Sequence, residues 1–136
     1  MNIDPTREQF HAFKALPRDT PVNMLNLVKL RAEAAYADGR NATGTEAYAA
    51  YGRESAPVFQ RVGGTILWRG APECVLIGPA DEAWDIAFIA RYPTGGAFLE
   101  MVTDPAYQAV VHHRQAGVAD SRLIRMGDLP GGAVFG

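Results

Sequence analysis

Apolar residues fall into two rhythms along this chain, and each change of rhythm marks a change of element. Asp4-Pro5 offers an N-cap followed by proline at the first helical position. Phe10, Phe13 and Leu16 follow at helical spacing until Pro17 stops them, which predicts a leading helix over about 5–16. Residues 22–30 (VNMLNLVKL) are apolar at both odd and even positions, as in a strand covered on both faces. A polar, small-residue stretch over 31–43 reads as a long exposed loop. Tyr48, Tyr51, Ser55, Phe59 and Val62 recur at three- and four-residue steps, so a second helix runs from about Gly44 to Val62, with Pro57 bending it.

Gly63-Gly64 ends that helix and launches a strand over 65–69, which Gly70-Ala71-Pro72 interrupts. Cys74–Ile77 resumes extended structure, as a bulged strand or a small hairpin, before the turn Gly78-Pro79-Ala80-Asp81. Residues 84–92 form another strand apolar on both faces, stopped by Pro93. A short helix over 97–103 is followed by Asp104-Pro105, which repeats the opening cap signature and starts a helix to about Gln115. Residues 121–126 are the last strand, and 128–136 is a loose tail.

Helices alternating with hairpin-linked strands give an α+β class, a ferredoxin-like βαββαβ sandwich with an antiparallel sheet. In that topology the first and third strands are central, and 22–30 and 84–92 are the two that are apolar on both faces. Helices cover one sheet face only. Something else must cover the other, and a second copy of the chain is the simplest source, so a homodimer is expected. The 136 residues are expected to form one domain, with a core plait over about 21–127.

Thirteen basic residues against fifteen acidic ones give a net charge of −2. That balance argues against a nucleic-acid binder and against docking on anionic lipid. No apolar run approaches the ~20 residues of a membrane span, and the first residues lack a signal-peptide pattern. The expected location is the cytoplasm. Cys74, alone and in an apolar run, reads as a small buried strand residue rather than a nucleophile.

No metal-ligand spacing, dinucleotide fingerprint, Walker sequence or nucleophile elbow is present, so neither a metal nor a cofactor is expected. Gly95-Gly96 ahead of a helix could hold an anion, although a turn is the simpler reading. His112 and His113 point about 100° apart on one helix and cannot share a metal there. His11 belongs on the surface. Tyr107 and Arg114 are seven residues apart and share a helical face. Arg114 there needs a carboxylate partner, with Asp85 or Glu73 available, or a bound anion. Tyr48 and Tyr51 face the sheet, where their hydroxyls serve either a packed core or a pocket wall. Trp68 and Trp84 carry the same ambiguity. Asn26, an amide inside an apolar strand, is either a structural bridge or a polar point in a cavity.

The ordered set Met24-Leu25-Asn26-Leu27, Tyr48…Tyr51-Gly52, Gly63-Gly64, Leu67-Trp68-Arg69-Gly70, Trp84-Asp85, Arg91-Tyr92-Pro93, Asp104-Pro105-Ala106-Tyr107 and His113-Arg114 resembles the family called domain of unknown function 1330. The resemblance spans about residues 21–126 and implies a dimeric α+β barrel. That superfamily also holds small cofactorless monooxygenases, haem-dependent chlorite dismutases and ligand domains of transcription regulators. It implies no particular activity. His113 lies in the resembled motif and is, with Tyr51, the first candidate for proton transfer. The expected function is a cofactor-free pocket for an organic acid or a carbonyl or aromatic compound, lined by Asn26, Tyr48, Tyr51, Tyr107 and Arg114. Whether it catalyses stays open, and the alternative is a noncatalytic ligand-sensing or structural dimer module.

Overall fold

The computed structural model describes residues 1–136. Its centre is the strand β1 (Val22–Leu30), which pairs antiparallel on one side with β3 (Ile86–Tyr92) and on the other with β4 (Val118–Met126). The strand β2 (Thr65–Gly70) adds to the outer edge of β3, giving the order β2-β3-β1-β4. This is the α+β ferredoxin-like plait, with the two doubly apolar strands at its centre as their patterns require.

Register divides the residues between the faces. Val22 opposes Tyr92, Met24 opposes Ala90 and Asn26 opposes Phe88. The first two pairs are core, packed with Val58, Val62, Phe98, Met101 and Tyr107 from the helices. The alternate residues Leu25, Leu27 and Ile89 lie on the other face, where Ile124 and Trp68 are 48% and 57% exposed. No element of this chain covers that face, although a face open to water would be expected to alternate to polar residues.

The helices are α1 (Arg7–Ala15), α2 (Gly44–Arg61), α3 (Gly95–Thr103), α4 (Pro105–Gln108) and α5 (Val111–Gly117). Each of the first two opens on a threonine whose hydroxyl accepts from the third amide. The Gln9 and Glu46 side chains reach back to Thr6 and Thr43 respectively. The first helix is therefore capped by Thr6, not by Asp4 and Pro5. Asp104 does cap α4 as its signature predicts, accepting from the Ala106 amide at 2.7 Å. Helix α2 continues unbroken through Pro57. The single helix expected over 104–115 is two, divided at 109–110, and α5 passes directly into β4 at Val118.

The extended segment expected at Cys74–Ile77 does not form. Residues 71–85 are turn and coil, Cys74 is exposed, and Leu76 and Ile77 are 90% and 93% exposed. The segment pairs with neither edge strand, although the outer sides of β2 and β4 are both open. Strand β3 correspondingly starts at Ile86 rather than 84. Asp85 extends the pairing from outside, its amide donating to Val28 O at 2.8 Å and its carboxylate accepting from the Leu30 amide at 2.7 Å. No helix is long and apolar enough to cross a membrane.

Helices α2 and α5 meet at backbone distance. A Cβ on Gly117 would stand 2.9 Å from Gly44 O and 3.1 Å from the Ala47 Cβ, and one on Gly44 would stand 2.0 Å from Arg31 O. The loop 31–43 is pinned into the same junction, Arg31 and Ala35 donating from their amides to Gly117 O and Ala116 O at 2.8 Å each. Gly44→Ala is expected to cost at least about 1–3 kcal/mol, because only backbone could yield. Gly127→Ala, with nothing within 4 Å, is expected to stay near wild type. Urea unfolding of the two variants side by side checks this.

Candidate functional site

Between the helical layer and the sheet lies a cavity of about 1420 Å³, roofed by the N-terminal segment with α1. Asn26, Tyr48, Tyr51, Tyr107 and Arg114 all line it. They come from β1, α2, α4 and α5, so the crossing of α2 on α5 sets their spacing. Tyr48 and Tyr51 are one helical turn apart with ring centroids 5.5 Å apart, and Tyr107 meets Tyr51 edge-on at 6.1 Å.

The Tyr51 and Tyr107 hydroxyls are hydrogen-bonded to each other at 2.8 Å. Two hydroxyls sharing one bond leave one O–H without an acceptor. The Tyr48 hydroxyl makes no hydrogen bond within the chain, and Arg125 Nη1, also on the cavity wall, is buried without a partner. Burial pushes the phenols of Tyr48, Tyr51, Tyr92 and Tyr107 above the usual tyrosine range, while the Arg114 charge draws Tyr48, Tyr51 and Tyr107 partly back. These are neutral donors at physiological pH. Asn26 donates to Met24 O at 3.0 Å, which leaves its carbonyl oxygen free to accept.

Arg114 pairs with neither Asp85 nor Glu73. The Asp85 carboxylate bonds to β1, and Glu73 is exposed. Arg114 donates to Ile3 O and, at 3.2 Å, to Ser121 Oγ. Ser121 Oγ donates in turn to Asn2 O at 2.7 Å. The guanidinium thus ties the N-terminal segment over the cavity with uncharged acceptors and keeps its own charge. Arg53, Arg69, Arg122 and Arg125 also line the cavity, against one carboxylate, Asp4. Arg122 is neutralised by Glu82 and Asp120 at 3.3 and 3.1 Å, but Arg69 and Arg114 form no ion pair.

His113 does not reach this cavity. It is buried on the far side of α5, its Nδ1 2.6 Å from Tyr36 Oη and its Nε2 3.1 Å from Glu54 Oε2. The two residues named for proton transfer, His113 and Tyr51, therefore serve different places. Trp84 lies under the Arg122 guanidinium, 5.0 Å from it, rather than in the core, and Trp68 is on the open sheet face. The Gly95 and Gly96 amides donate to Thr20 O and Arg18 O at 3.0 and 2.9 Å, so they hold no anion. Sequence patterning missed Tyr36, Glu54, Arg69 and the roof formed by residues 2–13. The length of the 31–43 loop was the one signal for Tyr36.

The family described as Domain of unknown function (DUF1330) matches residues 31–127. A protein of unknown function from Rhodopseudomonas palustris is 57% identical, covering 96% of this chain and 98% of that one with a TM-score of 0.92. A methylated form of it gives 0.94. SnoaB, a cofactor-independent oxygenase from Streptomyces nogalater, is 15% identical over 82% of this chain and 96% of that one, with a TM-score of 0.53. A dimeric protein of unknown function with a ferredoxin-like fold from Bacteroides fragilis is 13% identical over 78% and 94%, with a TM-score of 0.50. The last two likenesses concern the fold alone. No curated protein matches the sequence.

The four buried phenols make alkaline pH destabilising. In the unfolded chain each ionises near pH ~10, whereas the fold raises that value. Their contribution is complete below pH ~10. Above it the folded state binds more protons than the unfolded one, so stability falls by about 1.4 kcal/mol per buried phenol per pH unit. Denaturant unfolding across pH 8 to 11 is expected to show this decline, with tyrosinate absorbance appearing together with unfolding.

Proposed function

The chain belongs to the DUF1330 family, and we propose that its cavity binds a small organic molecule carrying a carboxylate or carbonyl oxygen on an apolar or aromatic body. The observation that carries this reading is the Arg114 charge, unpaired by any carboxylate, in a cavity whose tyrosines present O–H groups without acceptors. A core built only for stability would pair these groups. A ligand oxygen would take the guanidinium and the free hydroxyls, Asn26 would accept from a ligand donor, and Phe88, Phe98 and the tyrosine rings would hold the apolar body. All the recognition groups belong to the chain. This favours a ligand pocket over a purely structural module and assigns no reaction to it.

The test is thermal denaturation against a panel of aromatic carboxylates. Some member is expected to raise the melting temperature of the wild type. Tyr48→Phe, which removes a hydroxyl without a partner, is expected to melt near wild type yet bind about five- to tenfold more weakly. Arg114→Ala is expected to lose the shift and some intrinsic stability, since the N-terminal segment loses its tie. A panel without effect on the wild type, or equal shifts in all three proteins, would remove the reading.

We also propose that two copies pair through the open sheet face. Its support is the apolar set Leu25, Leu27, Ile89, Ile124 and Trp68, together with the dimeric Bacteroides fragilis neighbour. Light scattering is expected to give twice the chain mass at micromolar concentration. Ile124→Glu, at a site 48% exposed in one copy, is expected to leave monomer.

A further inference from the structure

Three side chains outside the cavity are lined up in an order that chemistry uses. Glu54 on α2 stands 3.1 Å from His113 Nε2, and His113 Nδ1 stands 2.6 Å from Tyr36 Oη. An ionised carboxylate only accepts, so Nε2 carries the imidazole hydrogen and Nδ1 is left bare to accept the Tyr36 O–H. The His113 side chain is 8% exposed, so its orientation is fixed by packing as well as by these two bonds. Tyr36 is half-buried in the loop 31–43, and its oxygen accepts no bond from the chain. The Arg40 guanidinium lies 4.2 Å from the centre of the Tyr36 ring and places a positive charge against it.

These groups come from three segments held by the close crossing of α2 and α5. The Ala35 amide donates to Ala116 O, one helical turn from His113, and so fixes the loop beside the imidazole. Glu33 and Thr43 bridge the base of the loop, and the positive φ of 74° at Gly39 turns its tip. Hydroxyl, base and orienting carboxylate in hydrogen-bond contact are the arrangement that activates a side-chain oxygen.

We propose that Tyr36 is an acyl-accepting nucleophile for activated carboxylic esters, with His113 as its base and Glu54 as the residue that positions His113. The Tyr36 oxygen attacks the ester carbonyl carbon while its proton passes to His113 Nδ1. The new oxygen–acyl bond forms as the bond to the leaving alkoxide or phenolate breaks, and that group departs with the electron pair. The product is an acyl-tyrosine. No cofactor or oxidant enters the balance.

The experiment exposes the full chain to p-nitrophenyl acetate and locates acetyl groups by peptide mass spectrometry. Tyr36 is expected to be acetylated ahead of the other four of the five tyrosines. Tyr36→Phe is expected to abolish the label. His113→Gln and Glu54→Gln are expected to slow it by about tenfold or more. Glu54 is exposed, so Glu54→Gln should fold as the wild type and decides the matter even if His113→Gln does not fold. If the acyl-tyrosine hydrolyses during the assay, the same comparisons are read from p-nitrophenolate release. Absence of acetyl-Tyr36 with no release that Tyr36→Phe removes, or a folded Glu54→Gln that reacts as fast as wild type, overturns the proposal. The cavity residues take no part, so this result is independent of carboxylate binding there.

Discussion

The contact of α2 with α5 at backbone distance is the constraint on which the remaining geometry rests. With Gly44 and Gly117 at the crossing, even a methyl group at either position would press on main chain. This crossing fixes Tyr48 and Tyr51, one turn along α2, relative to Arg114 on α5. It also fixes Glu54 relative to His113 on the opposite side of the same helix pair. The loop 31–43 is drawn into the junction because the end of α5 has carbonyls free to accept, and Arg31 and Ala35 supply the donors.

The cavity side of that pair is built from groups that a folded chain would normally satisfy. The buried phenols are held neutral, and a guanidinium is held among them by two uncharged acceptors. Leaving such groups incompletely bonded costs stability, a pattern common at sites that recognise something else. The roof is attached differently from the walls. Helix α1 has no buried residue and rests through Phe13 on Phe98, with centroids 5.0 Å apart. Its flanks are held by Arg114 on Ile3, Ser121 on Asn2 and Arg125 on Pro17. The same arginine that faces the cavity also fastens its cover, so occupancy of the cavity and attachment of the N-terminal segment share one group.

The sheet carries two further consequences of the topology. Its helix face is closed by α2 to α5, while its other face shows Leu25, Leu27, Ile89 and Ile124 without cover from this chain. The connection from β2 to β3 carries Val75, Leu76 and Ile77 outward, so the apolar surface continues beyond the sheet edge.

Local pattern alone determined most of the element order and the two central strands, because periodicity and capping are set by neighbours within a few positions. Asp104-Pro105 was readable for that reason, and so was the common face of Tyr107 and Arg114, both of which line the cavity. Where a segment's state depends on a distant partner, the pattern misled. Val75-Leu76-Ile77 has a strand's composition yet joins neither open edge of the sheet, and Asp85 serves the sheet from outside it. His113 lies in the resembled motif, but its partners Tyr36 and Glu54 lie 77 and 59 residues away along the chain, beyond the reach of local pattern. Arg114 was expected to meet a carboxylate and meets the Ile3 carbonyl, 111 residues away, instead. Such pairings are decided only when the helices pack, because the free energy of burying a charged or polar side chain depends on what the fold brings beside it.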